Sequence, residues 1–395
     1  MKRAQTNTRL YLLGTVAIAA VTGFSTPATA QEKEGLFTLL GRIILGAGTE
    51  KVAIDTPQAV TVLDQEDIDR TQASTPAELF DTIPGVQAIG SERAGGLSFN
   101  IRGIGELSAS DESKIIVTID GAPKFYEQYR MGSFFSDPEL FKRVEVLRGP
   151  ASATLYGSGA LGGVINFTTK DASDFLEEEK DTALRTRLSY DSNGAGKLGS
   201  VIYAHRFSDR LEALASLNYR TADQYEDGDD VPVAGSDGSS YSGLLKGTYY
   251  FGDDNAQTLR VSFSQWQNDL NDTQYSQTGT LGFGTIDRKT TDQTFSVSYE
   301  NPGLGNPLLD MKVALFYSDT DVVQSDSQGA PFPSALFSDA HYAYATHDLF
   351  VGWKPQQGAL EGFSVSNIFD KTYRNNLAGD KGRGRTFKLT LTKIF

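Results

Sequence analysis

Three glycines, Gly157, Gly159 and Gly162, have the spacing G-x-G-x-x-G. In a strand–turn–helix unit that spacing cradles a dinucleotide pyrophosphate on a helix N-terminus. Here the next residues, Val164-Ile165-Asn166-Phe167, are β-branched and apolar and predict a strand where the chemistry requires a helix. No Gly-Lys-Ser/Thr follows, so a phosphate-cradling P-loop is excluded too. These glycines serve positive φ and close chain approach instead. Hydrolytic chemistry has no firmer footing. No serine–histidine–aspartate set or carboxylate pair stands out among the 50 acidic residues, and runs such as Glu226-Asp227-Gly228-Asp229-Asp230 read as solvated loop or divalent-cation contacts. With no cysteines there are no disulfides and no thiolate metal sites. The histidines are His205, His341 and His347. Arg102, Glu145 and Arg148 interrupt strand-like runs, and a charge turned into a protein-filled space requires a partner.

The elements that position these residues change character along the chain. Lys2, Arg3 and Arg9 precede an apolar run from Leu10 to Val21, and Ala28-Thr29-Ala30 supplies a small-residue cleavage site before Gln31. This is the pattern of a secretory signal peptide over residues 1–30. Residues 31–52 then form an N-terminal extension, and residues 53–175 read as a mixed α/β domain of ordinary size. Within it, Ala59 to Leu63 is a strand, and Thr75-Pro76-Ala77-Glu78 is a capping box that predicts a helix over 77–82. Lys114 to Gly121 alternates into an Asp-Gly turn, and Ser136-Asp137-Pro138-Glu139 is a second capping box.

From Thr182 to Phe395 the pattern becomes alternating segments separated by turns. Thr182–Tyr190 places Leu184, Leu188 and Tyr190 on one face and Arg185, Arg187 and Ser189 on the other. Leu211–Arg220, Thr258–Gln267, Thr291–Glu300 and Leu309–Ser318 behave alike. Short connections such as Ser208-Asp209-Arg210 alternate with long polar ones at 222–240 and 268–286. A mean hydropathy of −0.31 with 17 Tyr, 23 Phe and 40 Gly fits strands that show only alternate residues to lipid. The net charge of −14 excludes a nucleic-acid surface.

Arg143 to Lys170, RVEVLRGPASATLYGSGALGGVINFTTK, closely resembles the segment that closes the plug of TonB-dependent outer-membrane receptors. Phe99-Asn100-Ile101-Arg102-Gly103 resembles the same family's "IRG" strand, and Asn367-Ile368-Phe369-Asp370-Lys371 resembles its "NIFDK" segment. Phe395 resembles the terminal aromatic that the barrel-assembly machinery reads. The resemblance implies an N-terminal α/β plug domain followed by an antiparallel transmembrane β-barrel in outer-membrane lipid. It makes Leu40-Gly41-Arg42-Ile43-Ile44-Leu45 a TonB box that adds a strand to the TonB C-terminal domain. It makes Arg102, Glu145 and Arg148 charges that lock the plug. The plug is most similar to the haem and haemoprotein branch, which makes haem the transported ligand, with no intrinsic cofactor, and Tyr126, Tyr129 and His341 its candidate ligands. A ferric-siderophore receptor and a non-transporting plug with a partial barrel are the alternatives.

The chain departs from the family in strand number. About ten strands fit between residues 182 and 395, against twenty-two in the family, which implies an internal deletion near 339–348. Ten strands ~4.8 Å apart and tilted ~40° close at a radius of ~10 Å, whereas a 120-residue plug has an outer radius near ~17 Å. A shortened or open barrel is therefore expected, with the plug not enclosed.

Overall fold

The computed structural model describes residues 42–43, 51–52, 59–89, 95–105, 114–124, 132–149, 160–226, 232–275, 284–302, 310–328, 349–353, 359–366 and 386–393. Arg42–Ile43 (β1) pairs with Lys51–Val52 (β2). The plug follows, around a five-stranded sheet. Ala59–Leu63 (β3), Ile115–Ile119 (β6), Ala122–Lys124 (β7), Phe141–Arg148 (β8) and Gly163–Thr169 (β9) take the order β3-β8-β9-β6-β7. Val86–Ile89 (β4) and Ser98–Ile101 (β5) form a separate ladder. Every pairing in the large sheet is antiparallel except β6 with β9. The predicted Asp-Gly turn joins β6 to β7, with Asp120 at φ 49° and Gly121 at φ 86°, the left-handed pair that a tight hairpin demands. Gly163 shows why its signature needs glycine: a Cβ there would lie 2.0 Å from the Leu147 carbonyl oxygen.

The plug core is aromatic. Phe134 stacks on Phe167 with ring centroids 4.6 Å apart, Phe141 lies 4.7 Å from Phe167, and Phe80 meets Phe99 edge-on at 5.1 Å. The first predicted capping box forms, though it opens a 3-10 turn, Pro76–Phe80, rather than an α-helix, with Glu78 accepting from Thr75 N; at the second site the turn Pro138–Leu140 is capped by Asp137 rather than by Ser136. Proline at the first position and an early switch to strand or turn leave no room for a full α turn. One helix was not expected: Gln65–Thr71 (α1) is held by a reciprocal Asp64/Asp67 capping box.

Ten strands make the second sheet: Thr182–Tyr190 (β10), Lys197–Ser208 (β11), Leu211–Ala222 (β12), Gly238–Phe251 (β13), Gln257–Gln274 (β14), Thr285–Pro302 (β15), Asp310–Gln328 (β16), Leu349–Trp353 (β17), Ala359–Ser366 (β18) and Thr386–Lys393 (β19). They pair in sequence order, all antiparallel, with β10 and β19 as the two edges. Among the described residues the expected count of ten is observed, and β10 and β19 do not pair with each other.

One expectation is corrected. The long connection assigned to 268–286 is strand at both ends, because β14 runs on to Gln274 and β15 starts at Thr285. Above Phe263 and Phe295 the outward residues turn polar: Gln265, Gln267 and Asp269 on β14 oppose Gln293, Thr291 and Lys289 on β15. With the outward face polar and the inward face mixed (Trp266, Asn268 and Leu270 on β14), the hydrophobic alternation that marks a strand is blurred. Lower down it is plain. Leu184, Leu188, Tyr203, Leu217 and Leu245 are exposed on one face, while Ser200, Ser216, Ser242, Ser262 and Thr294 are buried on the other. An apolar outside and a hydroxyl-lined inside invert the soluble pattern, as a lipid-facing barrel wall does.

Candidate functional site

The hydroxyl-lined face receives the plug through charges. Glu139, placed by the Pro138–Leu140 turn, takes Arg187 Nη1 at 2.7 Å and Arg185 Nη1 at 3.1 Å, both from β10. Ser200 Oγ on β11 donates to it at 3.4 Å, and Lys170 Nζ sits 3.8 Å away. Asp69 on α1 shares the same two arginines, with Arg185 Nη2 at 2.7 Å and Arg187 Nη1 at 3.3 Å. Asp137, besides capping its turn, is held bidentately by Arg220 of β12 at 2.8 and 3.1 Å. Such planar fork-to-carboxylate pairs are the strong ones.

At the end of the plug, Asp171 pairs with Lys142 at 2.8 Å, Lys246 of β13 at 3.1 Å and Arg260 of β14 at 3.9 Å. Lys246 also lies 3.5 Å from Asp120 and donates to Thr169 Oγ1 at 2.9 Å. On the far side the polarity reverses. Lys124 on β7 is buried, and its ammonium donates to Asp292 Oδ1 at 2.8 Å, Thr294 Oγ1 at 3.0 Å and Ser318 Oγ at 2.7 Å. Its three protons are thus all used, on β15 and β16. Asp292 Oδ2 in turn accepts from Thr320 at 2.7 Å. Seven consecutive strands, β10 to β16, therefore each give the plug a polar contact.

The electrostatics follow from burial opposed by neighbouring charge. Burial alone would raise Glu139, but Lys170, Arg187 and Arg185 outweigh it and hold its carboxyl below the usual range. Burial pushes Lys170 down to about 8 against the pull of Glu139. Asp171 is buried as well, yet Lys246, Lys142 and Arg260 hold it well below the ordinary carboxylate range.

The residues expected to lock the plug make the following contacts within it. Arg148 donates to Pro84 O at 2.7 Å and to Thr61 Oγ1 at 2.8 Å, tying β8 to edge strand β3 and to the turn before β4. Glu145 is buried and pairs with Arg143 at 2.7 Å. Arg102 is exposed on a left-handed turn at φ 52°, with its amide bonded to Gly85 O. Of the TonB-box expectation, Arg42 and Ile43 are a strand, and Leu40, Gly41, Ile44 and Leu45 lie outside the described residues. Tyr126, Tyr129 and His341, and the 339–348 junction, also lie outside them. Among the described residues, no cluster of three or more His, Cys, Asp or Glu could hold a metal.

Sequence reasoning placed Arg185 and Arg187 on the polar face of β10 and missed their partners. Glu139 and Asp137 fitted a local capping box, and that local reading concealed their reach to the wall. The wall supplies most of the cations and the plug most of the carboxylates.

The family model "TonB-dependent Receptor Plug Domain" matches residues 52–164. Residues 52–164 are thus similar to the plug domain of TonB-dependent receptors. A hemin receptor of Yersinia enterocolitica is 27% identical over 350 residues, 82% of this chain and 48% of that protein. The TonB-dependent heme receptor A of Haemophilus ducreyi is 33% identical over 187 residues, 47% of this chain and 24% of that protein. The chain spans about half the length of the curated relatives it matches. Among solved structures, the FrpB iron transporter from Neisseria meningitidis (F3-3 variant) superposes with a TM-score of 0.64 at 20% identity, over 78% of this chain and 48% of that one. The Serratia marcescens hemophore receptor HasR, solved as a double mutant with its hemophore HasA and heme, gives 0.59 at 22%, over 79% and 44%. At that identity these two likenesses establish the fold alone: a receptor plug followed by receptor barrel strands.

Proposed function

We propose that the chain is an outer-membrane receptor that takes up haem, free or from a haemoprotein, with energy from the TonB complex. The observation that carries this reading is a plug of the receptor family seated by ion pairs on a sheet that is apolar outside and polar inside. The named haem function of relatives aligned over most of the chain supports haem as the cargo. In this reading the signal peptide is removed after Ala30, and the barrel-assembly machinery inserts the strands. Leu40–Leu45, which contains β1, adds a strand to the TonB C-terminal domain. Tyr126, Tyr129 and His341 approach the haem iron. Arg102, Glu145 and Arg148 are the charges that lock the plug, and Arg148 does so in part by holding β8 to β3 and to the Pro84-Gly85 turn.

The test is growth of an iron-starved, haem-requiring host with haemin as sole source, with and without TonB. TonB-dependent growth on haemin is expected, and growth on ferric siderophore alone would overturn the haem assignment. The open edges at β10 and β19 favour a second reading, a haem-binding plug with a partial barrel that does not transport. Haemin binding to the purified chain without growth would select it.

A further inference from the structure

His205 breaks the pattern of the lipid-facing surface. It lies on β11 between Tyr203 and Phe207, whose rings are 47% and 62% exposed on the outward face. The imidazole stacks parallel to Tyr203 at 6.2 Å and meets Phe207 edge-on at 4.3 Å. From the level of Leu188, Gly199, Tyr219 and Tyr241 down to the β11–β12 turn, it is the only side chain on the outward face of β10–β13 with an acidic or basic group. An ionisable group in such a place is costly, and it calls for a polar partner.

The ring's hydrogen bonding says which kind. Nδ1 is buried and has no hydrogen-bond partner. A buried N–H left unpaired is rarer and costlier than a bare acceptor, so the proton belongs on Nε2. That makes Nε2 a donor directed at the membrane, where hydrocarbon offers no acceptor. A phosphodiester offers only acceptors.

The surroundings leave space for the rest of such a molecule. The ladder aligns His205 with Ala213 on β12 and Gly247 on β13, and Tyr203 with Ala215 and Leu245. A Cβ added at Gly247 would meet nothing within 4 Å. Ala213, Ala215 and Gly247 thus floor a trough walled by Tyr203, His205 and Phe207 on one side and by Leu245 and Tyr249 on the other. Below it runs an aromatic belt: Tyr249 to Phe251 at 5.7 Å and Phe251 to Tyr299 at 5.8 Å. Such belts lie at headgroup level. His205 is two residues above the Tyr249 level, about 5 Å in height for a tilted strand, within reach of that headgroup layer.

We propose that the outward face of β11–β13 binds one phospholipid, with His205 donating from Nε2 to its phosphate and an acyl chain lying over Ala213, Ala215 and Gly247. This rests on the membrane reading of the sheet, and the two fail differently. A chain recovered from the soluble periplasm would defeat the membrane reading. A membrane protein whose lipid retention ignores His205 would defeat only this one.

The test is native mass spectrometry of the full chain in neutral detergent, titrated with phosphatidylglycerol and with diacylglycerol of the same acyl chains. One retained phosphatidylglycerol is expected, bound about tenfold more weakly by His205→Phe and largely recovered by His205→Gln, which keeps a donor. Gly247→Leu, which fills the trough, should weaken both lipids. Equal binding by His205→Phe and wild type, or diacylglycerol binding as tightly as phosphatidylglycerol, would overturn the proposal.

Discussion

Replacing Lys124 with Met should unseat the far side of the plug. The pair it forms with Asp292 is nearly dry, with side-chain exposures of 2% and 6%. Removing the cation leaves a buried carboxylate whose remaining partner is Thr320 Oγ1 at 2.7 Å, and two hydroxyls that lose their donor. Breaking a buried pair from one side costs about 3–5 kcal/mol, since the survivor is an uncompensated charge. At ~1.4 kcal/mol per decade, that weakens plug seating at least a hundredfold. The partner change tests the cause. Lys124→Met with Asp292→Asn removes both charges and should recover at least half of the loss, because a neutral pair of similar volume avoids the desolvation term.

The structure supplies its own probe for this experiment. Trp266 on β14 is 2% exposed and packs 6.1 Å from Phe135 of the plug. The sequence has only two tryptophans, so in a Trp353→Phe background the emission of Trp266 follows plug departure as urea is raised. The expected reading is an early transition in Lys124→Met, moved back toward wild type in the double variant. A single-variant shift under ~0.5 kcal/mol, or a double variant no better than the single, would refute the buried-latch argument.

Other predictions test the remaining contacts. Glu139→Gln leaves Arg185 and Arg187 with Asp69 alone and should destabilise plug seating by about 3 kcal/mol in the same Trp266 assay; an unchanged transition would count against that cluster. Lys170 is protonated less readily folded than unfolded, so between about pH 8 and its ordinary value near 10.5 the unfolded chain holds more protons. Stability should therefore rise with pH across that window, a gain that melting curves of Lys170→Met should lack. For Asp171 and Glu139, whose folded values are also depressed, the slope has the same sign but falls in the acid range. Their depressed values give stability that is complete above the ordinary carboxylate range and lost only in stronger acid, so seating should persist to below pH 4. Ile43→Pro removes a ladder donor from β1 and should abolish capture of the TonB C-terminal domain in a pull-down.

How far the sequence foretold these contacts depends on their range. The bounds of β10, the Asp-Gly hairpin, edge strand β3 and the count of ten strands were all readable, because alternation and turn chemistry act within a few residues. α1 was readable too, from the acid pair Asp64 and Asp67, and went unread because the run behind it is so polar. The upper halves of β14 and β15 were hidden for a physical reason: their outward residues are polar and their inward residues mixed, so no clean alternation remains. The Glu139 cluster was illegible in principle. Its members on the wall are 46 to 61 residues away in sequence, and nothing local says that a turn acid will meet two arginines on a strand not yet formed.

The ten strands cannot close around what they hold. Closed, they would make a tube of ~10 Å radius, too narrow for a body of ~17 Å. The curvature that suits the plug is that of a wall of about twenty-two strands, ~22 Å in radius, and ten strands at that curvature span less than half a circle. The contacts have that form: Arg185 on β10, Ser200, Arg220, Lys246, Arg260, Asp292 and Ser318 on β16 meet the plug strand by strand. The plug thus acts as the template that sets the curvature of the sheet. Seating the plug and closing the sheet alone are then competing outcomes for these strands. Edges β10 and β19 are the consequence, and each unpaired backbone group exposed to lipid costs several kcal/mol. The weakness of the molecule therefore lies at its two edges. Whatever supplies strands there, from this chain or from another, would stabilise the fold more than any improvement in the plug.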